Sequence, residues 1–141
     1  MPASNDTPFI YPFIRYQDAP KAIDFLCTAF GFERVTVIPG EGNSVAHATL
    51  RLGDGMIMVG TGASPLSRDA RGADAGRAEH GLYVFVPDAD AHHEQAKAAG
   101  ADVTRDVENT EYGSREYSVL DPEGYHWSFG TYHPAADGEA Q

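Results

Sequence analysis

Residues 9–31, FIYPFIRYQDAPKAIDFLCTAFG, place a strand, a helix cap, a helix and a helix stop in direct succession. Aromatic and branched side chains fill Phe9–Tyr16 and predict the strand. Asp18 can accept hydrogen bonds from the first turn of the helix, and Pro20 suits that turn because its fixed φ is helical. The apolar residues of Ala19–Phe30 recur at helical spacing, and the glycine after them predicts the end of the helix.

Three short strands follow this helix, and the second half of the chain repeats the whole order. The strands of the first half are predicted at Glu33–Ile38, Val45–Leu52 and Met56–Gly60. The second half predicts a strand at Gly81–Val86, a helix at Ala89–Ala99 and strands at Asp102–Val107, Ser114–Leu120 and Tyr125–Thr131. The cap and turn residues recur at nearly the same offset: Asp18 and Asp88 lie 70 residues apart, and Gly31 and Gly100, like Gly55 and Gly124, lie 69 apart. The sequence therefore predicts one βαβββ unit used twice.

Two such units predict an α+β fold in which paired βαβββ modules form curved mixed sheets around a cavity. The predicted boundaries are a disordered N-terminal tail at 1–8, modules at 9–60 and 80–132, a flexible connector at 61–79 and a C-terminal tail at 133–141. The connector is rich in small and polar residues, so we expect it to be more mobile than the sheets. It is long enough for the modules to pair within one chain or to be exchanged between two.

The chain carries 10 Lys and Arg against 21 Asp and Glu, a formal charge of −11. Nucleic acids and anionic membranes are bound through clustered cations, so this balance argues against both partners. Cys27 is the one cysteine in the sequence, which excludes an intrachain disulfide and a multi-cysteine zinc site. No apolar run approaches the roughly 20 residues of a membrane helix, and Met1–Thr7 lacks the features of a signal peptide. We expect a cytoplasmic enzyme or binding protein whose ligand is neutral or cationic.

Several short motifs are similar to those of a known superfamily. They are Ile14–Pro20 leading into Phe30-Gly31-Phe32, then Leu50–Gly55, Tyr83–Asp88 and the turn Asp121-Pro122-Glu123-Gly124-Tyr125. On these residues the chain resembles the vicinal oxygen chelate superfamily, which contains glyoxalase I, bleomycin-resistance proteins and extradiol dioxygenases. Tyr112–Glu116 is similar to a segment of the bleomycin-resistance-like branch. The resemblance, which covers 9–132, implies the paired-module fold, often as a homodimer, but no single activity.

Metal-dependent members of that superfamily hold a divalent ion with one residue from each of four strands, usually His, Gln or Glu. The matching positions of this chain are Tyr11, Met58, Gly81 and Ser128. A phenol, a thioether, a glycine and a hydroxyl are a poor donor set for such an ion, so we expect neither a metal nor another cofactor. His80 with His126 is the best alternative pair of ligands, and Glu116 or His47 could add a third.

The inward-facing strand positions are rich in aromatic rings and thioethers, because side chains alternate along each strand. The predicted ligand-binding residues at these positions are Tyr11, Phe13, Met56, Met58, Tyr83, Phe85, His126 and Ser128. The resemblance to the resistance proteins adds Tyr112, Arg115 and Glu116, whose ring can stack on a planar ligand and whose charged groups can anchor it. Such a wall, with a few polar groups, suits a flat or apolar organic molecule. The alternative is that the same side chains fill a closed core. His92 and His93 are predicted to lie on the solvated face of the second helix.

Together with the resemblance, these residues predict a small-molecule-binding protein that acts by sequestration without catalysis. Its ligand would be an antibiotic or an aromatic metabolite, hydrophobic or cationic, bound by a homodimer. The alternative is a divalent-metal-dependent lyase, isomerase or dioxygenase, which needs at least three converging ligands. A third possibility is an interaction protein whose aromatic residues interlock and leave no cavity.

Overall fold

The computed structural model describes residues 8–65 and 81–134, which form two βαβββ modules. The first module contains β1 (Phe13–Tyr16), α1 (Ala19–Phe25), β2 (Glu33–Pro39), β3 (Val45–Leu52) and β4 (Gly55–Thr61). The second contains β5 (Leu82–Phe85), α2 (Ala89–Ala98), β6 (Asp102–Asn109), β7 (Arg115–Leu120) and β8 (His126–Gly130). The predicted α+β class with paired modules is confirmed.

Each module forms a four-stranded mixed sheet with its first strand at one edge. The strand order is β1-β4-β3-β2 in the first sheet and β5-β8-β7-β6 in the second. β1 runs parallel to β4 and β5 runs parallel to β8, whereas the other neighbours are antiparallel. The second module therefore repeats the topology of the first.

Both helices begin at the predicted aspartate caps. The side chains of Asp18 and Asp88 each accept a hydrogen bond from the backbone N–H three residues later. The first helix departs from the prediction at Leu26, from where the chain continues to Phe30 as a π-helical turn. Gly31 ends this turn with φ at 92°, a left-handed conformation that side chains with a Cβ rarely adopt.

β1 is shorter than the predicted strand because its N-terminal half does not join the sheet. The ladder with β4 begins at Phe13, whereas the sequence pattern begins at Phe9. Pro12 has no N–H to donate to a ladder, although its carbonyl accepts a hydrogen bond from the N–H of Met58. Phe9 and Ile10 are consequently left exposed to solvent.

The buried core is continuous across the two modules. Its largest fully buried side chains are Trp127, Tyr16, Tyr117, Phe30, Phe129, Leu26, Leu50, Val59 and Val119. The ring of Phe30, from the π-helical turn of the first module, lies 5.2 Å from the ring of Trp127 and 4.8 Å from that of Phe129. Aromatic packing thus joins the helix of one module to the sheet of the other. Within the described ranges, neither helix has the length and apolarity needed to cross a membrane.

The turn between β7 and β8 closes on the start of the first module. Glu123 accepts the backbone N–H groups of Gln17 and Asp18 at 2.7 and 2.8 Å, and the hydroxyl of Ser64 at 2.6 Å. Its carboxylate is buried, so these donors replace the water that it would otherwise bind. We call the turn Asp121–Tyr125 the clasp, because it fixes the second module to the β1–α1 junction.

Asp121 holds the clasp together from inside. Its carboxylate accepts the hydroxyl of Tyr16 at 2.6 Å and the indole N–H of Trp127 at 3.0 Å. It also accepts the backbone N–H groups of Glu123 and Tyr125, at 3.0 and 3.1 Å. Burial raises the pKa of Asp121, and the four donors act in the opposite direction. One carboxyl group thereby links the turn to both modules.

The second junction of the modules has no matching clasp. Asp54, in the β3–β4 turn, stands 69 residues before Glu123 at the corresponding place. Its side chain is exposed and makes no hydrogen bond within the described ranges. Val86, which corresponds to Tyr16, has no hydroxyl group to donate. One junction is therefore closed by the clasp, and the other, which we call the open junction, has no such turn.

Parts of the predicted tails and connector lie outside the described residues, namely 1–7, 66–80 and 135–141. The predicted mobility of the connector concerns mostly these residues. His80 is also one of them. At the described beginning of the connector, Thr61 belongs to β4, and Ser64 is buried against the clasp.

Replacing Glu123 by glutamine is expected to destabilise the protein by about 2 kcal/mol. An amide offers one acceptor oxygen to three donors and turns its own N–H groups toward the backbone N–H groups of the first module. Urea unfolding followed by tryptophan fluorescence measures the change. Glu111→Gln, at an exposed turn, is the matched control and is expected to leave the midpoint unchanged. Equal midpoints for Glu123→Gln and the unmodified protein would show that the clasp does not hold the modules.

Candidate functional site

The open junction forms a cavity of about 880 Å³. All four residues of β5 line it, together with the β3–β4 turn and three residues ahead of β1, namely Pro8, Ile10 and Pro12. Phe30 and Trp127 extend the lining into the core. Small-molecule sites commonly measure ~300–1,000 Å³, so the cavity is large enough for a ligand of several rings.

The lining of the cavity is mostly apolar. Its apolar side chains include Ile10, Phe32, Leu52, Met56, Leu82 and Val84. The polar groups are fewer: His92 and Gln95 from α2, Asp54, Asp88 and His133. The imidazole of His133 stacks on Phe85 with the ring centroids 3.8 Å apart and the planes 11° from parallel. Such surroundings suit a flat apolar molecule with few polar substituents.

Two side chains of α2 reach across the junction to the end of the π-helical turn. His92 Nε2 donates to the carbonyl of Phe30 at 2.8 Å, and Gln95 donates to that of Ala29 at 3.3 Å. The last carbonyl groups of a helix have no hydrogen-bond donors within the helix, and here His92 and Gln95 are those donors. Because Nε2 of His92 is the donor, Nδ1 accepts the hydroxyl of Tyr117 at 2.6 Å. Burial raises the pKa of Tyr117, so this hydroxyl stays protonated.

The prediction that His92 and His93 lie on a solvated helix face is wrong. His92 is half-buried between the modules, and His93 is buried with its Nε2 3.1 Å from a carboxylate oxygen of Asp106. The sequence of α2 carries a usable signal for this placement. Its only apolar residues are alanines, and both histidines fall on the helical stripe defined by the buried Ala89 and Ala96.

A second set of predicted residues lies on the face of the second sheet that points away from the helices. The register places Arg105, Ser118, Ser128 and Tyr83 in one row across four strands. The hydroxyl oxygens of Ser118 and Ser128 lie 2.9 Å apart, and Nε of Arg105 donates to Ser118 at 3.3 Å. We call this surface the open face of the second sheet. Its central row is hydrogen-bonded within itself.

Glu116 lies beside this row and is almost completely buried. Its carboxylate accepts the hydroxyl of Tyr112, at 3.0 Å from each oxygen, and a guanidinium N–H of Arg105 at 3.1 Å. Gly130 permits this approach, because a Cβ there would lie 2.5 Å from Cγ of Glu116 and 2.9 Å from the hydroxyl of Tyr83. The hydrogen bond with Glu116 raises the pKa of Tyr112, and burial raises that of Tyr83. Both phenols are therefore neutral donors at physiological pH.

Arg115 is next to Glu116 in sequence, but its side chain goes to the helix side of the sheet. It donates to both carboxylate oxygens of Asp90, at 2.8 and 3.1 Å, and to Asn109 at 3.1 Å. Successive side chains of a strand point to opposite faces, so these two predicted residues do not act at one place. Arg115 fastens α2 to β7.

The predicted ligand-binding residues are thus divided among several places. Met56, Tyr83 and Phe85 line the cavity. Glu116, Ser128 and Tyr112 belong to the open face of the second sheet, and the half-buried His126 lies next to Gly81 at its edge. Phe13 and Met58 are paired in register on the first sheet, and Tyr11 is half-buried ahead of β1. His92, Gln95 and Trp127 line the cavity without having been predicted, because a helix and the core supply them.

The four positions that match the metal-binding positions of the superfamily that the sequence resembles do not fit a divalent ion in this chain. They are Tyr11, Met58, Gly81 and Ser128. Gly81 offers no side chain, the Met58 thioether is a weak donor for such an ion, and the Ser128 hydroxyl is bonded to Ser118. Within 8–65 and 81–134, no three His, Cys, Asp or Glu side chains come together in a metal-binding arrangement.

Comparison with protein families and curated proteins gives concordant matches. A family model described as the Glyoxalase/Bleomycin resistance protein/Dioxygenase superfamily matches residues 9–129. The chain is 31% identical over 130 residues to the uncharacterized protein Rv0887c of Mycobacterium tuberculosis (strain ATCC 25618 / H37Rv), which covers 91% of this chain and 76% of that protein. It is also 31% identical to the uncharacterized protein Mb0911c of Mycobacterium bovis, over 91% of this chain and 86% of that protein.

Solved structures with the same fold include two from named proteins. TioX from Micromonospora sp. ML1 is 30% identical, with a TM-score of 0.68 over 91% of this chain and 98% of TioX. The fosfomycin resistance protein FosX from Mesorhizobium loti has a TM-score of 0.65 over 89% of this chain and 92% of that one. At 16% identity, FosX shares the fold, and its likeness extends no further.

Stability is expected to fall as the pH drops from about 6.5 through the folded-state pKa of His92, because burial lowers that pKa below its ordinary ~6.5. In this window the unfolded chain binds the proton more readily than the folded one, so acid favours unfolding. His92→Gln keeps a donor for Phe30 and an acceptor for Tyr117, and we expect a shallower decline between about pH 7 and pH 5. Urea unfolding at several pH values measures the slopes, with His133→Gln as the exposed control. An unchanged slope in His92→Gln would contradict the assignment.

Proposed function

Since the chain belongs to the Glyoxalase/Bleomycin resistance protein/Dioxygenase superfamily, we propose that it is a non-catalytic binding protein of the bleomycin-resistance-like branch. It binds a small flat aromatic molecule, an antibiotic or an aromatic metabolite, and acts in the cytoplasm by sequestration. One observation carries the proposal: the junction without a clasp leaves a cavity of about 880 Å³ with mainly apolar walls. An aromatic ligand binds such a cavity favourably because its rings are removed from water.

The chemistry of the side chains supports binding over turnover. Both imidazole nitrogens of His92 are engaged in hydrogen bonds, one to the carbonyl of Phe30 in the first module and one to the hydroxyl of Tyr117 in the second. The carboxylate of Glu116 is likewise bound by Tyr112 and Arg105. A general base must be within reach of the proton that it removes, and both groups are already engaged. The poor donor set at the four metal positions argues in the same direction.

We also propose that the protein acts as a homodimer. Apolar side chains of the first sheet are exposed on both of its faces: Phe13 and Ile38 on the face away from α1, and Val37 on the side of α1, where it is paired with Ala48. All seven residues of β2 are exposed, although Val35–Ile38 is a sequence typical of a covered strand. An apolar surface of this extent favours a partner, and a second copy with the same surface can cover it symmetrically.

Light scattering at micromolar concentration is expected to give about twice the chain mass of 15.2 kDa. Val37→Lys introduces a charge on the exposed strand and is expected to shift the protein toward the monomer. Thr104→Lys, on the exposed side of β6, is the control and should leave the mass unchanged. A monomer in the unmodified protein would refute the dimer.

Ala91→Phe is expected to weaken the binding of 2-naphthylmethanol at least about tenfold, because Ala91 is an exposed residue of α2 that lines the cavity. Calorimetry should give about one bound probe per chain in the unmodified protein. Ala98→Phe, also exposed on α2 but outside the cavity lining, is the matched control and should bind normally.

Equal binding by the two alanine variants would place the ligand elsewhere. The same preparation tests the enzymatic alternative, since dialysis against a chelator should leave binding intact. Elemental analysis that finds about one tightly held Ni, Zn, Fe or Mn per chain would overturn the non-catalytic function.

A further inference from the structure

The polar side chains that line the cavity differ in whether they already have a partner. Both imidazole nitrogens of His92 are hydrogen-bonded, the amide of Gln95 donates to carbonyls of the π-helical turn, and the carboxylate of Asp88 caps α2. His133 is stacked on a ring of β5. Asp54 is different, because within the described ranges its carboxylate has no hydrogen bond and no ion pair. A ligand can bind this carboxylate without displacing another side chain.

The clasp shows which partners a carboxylate in the corresponding turn accepts. Glu123, which corresponds to Asp54, accepts two successive backbone N–H groups at 2.7 and 2.8 Å, those of Gln17 and Asp18. At the open junction the residue that corresponds to Gln17 is Pro87, which has no N–H to donate. The side chain of Asp54 is also one methylene group shorter than that of Glu123. This pair of donors is therefore lacking at the open junction, and the carboxylate of Asp54 remains available to donors from a ligand.

Asp54 lies at the rim of the cavity, and aromatic rings lie at its inner end. Asp54, Pro87 and Asp88 line the same cavity as Phe30 and Trp127. The first three residues are exposed, whereas the two aromatic side chains are fully buried. A ligand whose rings enter the apolar part of the cavity therefore keeps a polar group near the carboxylate at the rim.

The charged side chains of the cavity lining have one sign. Asp54 and Asp88 are both acidic, and none of the lining residues within 8–65 and 81–134 is a lysine or an arginine. A ligand anion would meet two carboxylates, whereas a cation would meet charges opposite to its own. The faces of aromatic rings such as that of Trp127 also attract cations. Both features favour a cation over an anion.

We propose that Asp54 is a specificity-determining residue, and that the ligand is an aromatic cation with two N–H donors, such as an arylamidinium. Its N–H groups bind the carboxylate of Asp54 in the way that two backbone N–H groups of the first module bind Glu123. Its rings lie among the apolar side chains of the cavity. This assignment rests on the proposed function, because it names the chemical class of the molecule that the cavity binds.

Calorimetry with three planar naphthalenes of nearly the same shape tests the assignment: 2-naphthamidinium, 2-naphthamide and 2-naphthoate. At low salt and about pH 7, we expect 2-naphthamidinium to bind about three- to fivefold more tightly than 2-naphthamide, and 2-naphthoate to bind most weakly. The advantage is modest because the Asp54 carboxylate is exposed to water. It should decrease in ~0.5 M salt, which screens exposed charges.

Asp54→Asn is expected to reduce the advantage of 2-naphthamidinium to less than about twofold and to leave the affinity for 2-naphthamide unchanged, because asparagine suits the same turn without the charge. Asp102→Asn removes the same charge from an exposed side chain outside the cavity lining, so it is the matched control and should retain the preference. Ala91→Phe should weaken the binding of 2-naphthamidinium and 2-naphthamide together, since both occupy the cavity.

Three results would overturn the assignment while leaving the proposed function in place. They are binding of 2-naphthamidinium no tighter than that of the other two probes, an unchanged preference in Asp54→Asn, and an equal loss of preference in Asp102→Asn. In each of them 2-naphthamide still binds and is still weakened by Ala91→Phe, which keeps the cavity as the ligand site. Failure of all three probes to bind would overturn the proposed function and the assignment together.

Discussion

The arrangement of the two modules depends on two buried carboxylates, Asp121 and Glu123. A carboxylate is costly to remove from water unless hydrogen-bond donors replace its hydration. Here several of the donors belong to the other module: the hydroxyl of Tyr16 for Asp121, and the N–H groups of Gln17 and Asp18 for Glu123. These carboxylates are satisfied only when the modules are docked. The requirement docks the second sheet, whose β5 lines the cavity, against the β1–α1 junction of the first module.

The fold could be predicted because its signals are local. Asp18 and Asp88 cap the two helices as their positions indicate, and alternation along the strands identified Met56, Tyr83 and Phe85 as inward-facing. The π-helical turn has no such signal, since its terminal carbonyls are satisfied by side chains of the other module. His92 differs, because its place on the helical stripe of Ala89 and Ala96 indicates a buried face, whereas its partner in the first module, the carbonyl of Phe30, follows only from docking. The separation of Arg115 from Glu116, by contrast, follows from strand alternation alone.

Hydrogen bonding within each sheet decides which polar groups are free for a ligand. On the second sheet, Arg105, Glu116, Ser118 and Ser128 bind one another, so a ligand there must replace bonds that already exist. On the first sheet, the guanidinium of Arg15 lies 5.1 Å from the ring centroid of Phe13 and has no carboxylate partner among residues 8–65 and 81–134. A count of charges cannot separate these cases, because it treats a paired and an unpaired guanidinium alike.

The difference between the two junctions has an evolutionary meaning. In a symmetric dimer of single βαβββ units, both junctions would have one sequence, and any substitution that opened a pocket at one would also remove the carboxylates that hold the other. Covalent duplication frees the two copies from that identity. Glu123 can then keep its hydrogen bonds to the other module while the corresponding Asp54 makes none among the described residues. Residues around Asp54 can therefore change, and alter what the cavity binds, without loss of the clasp.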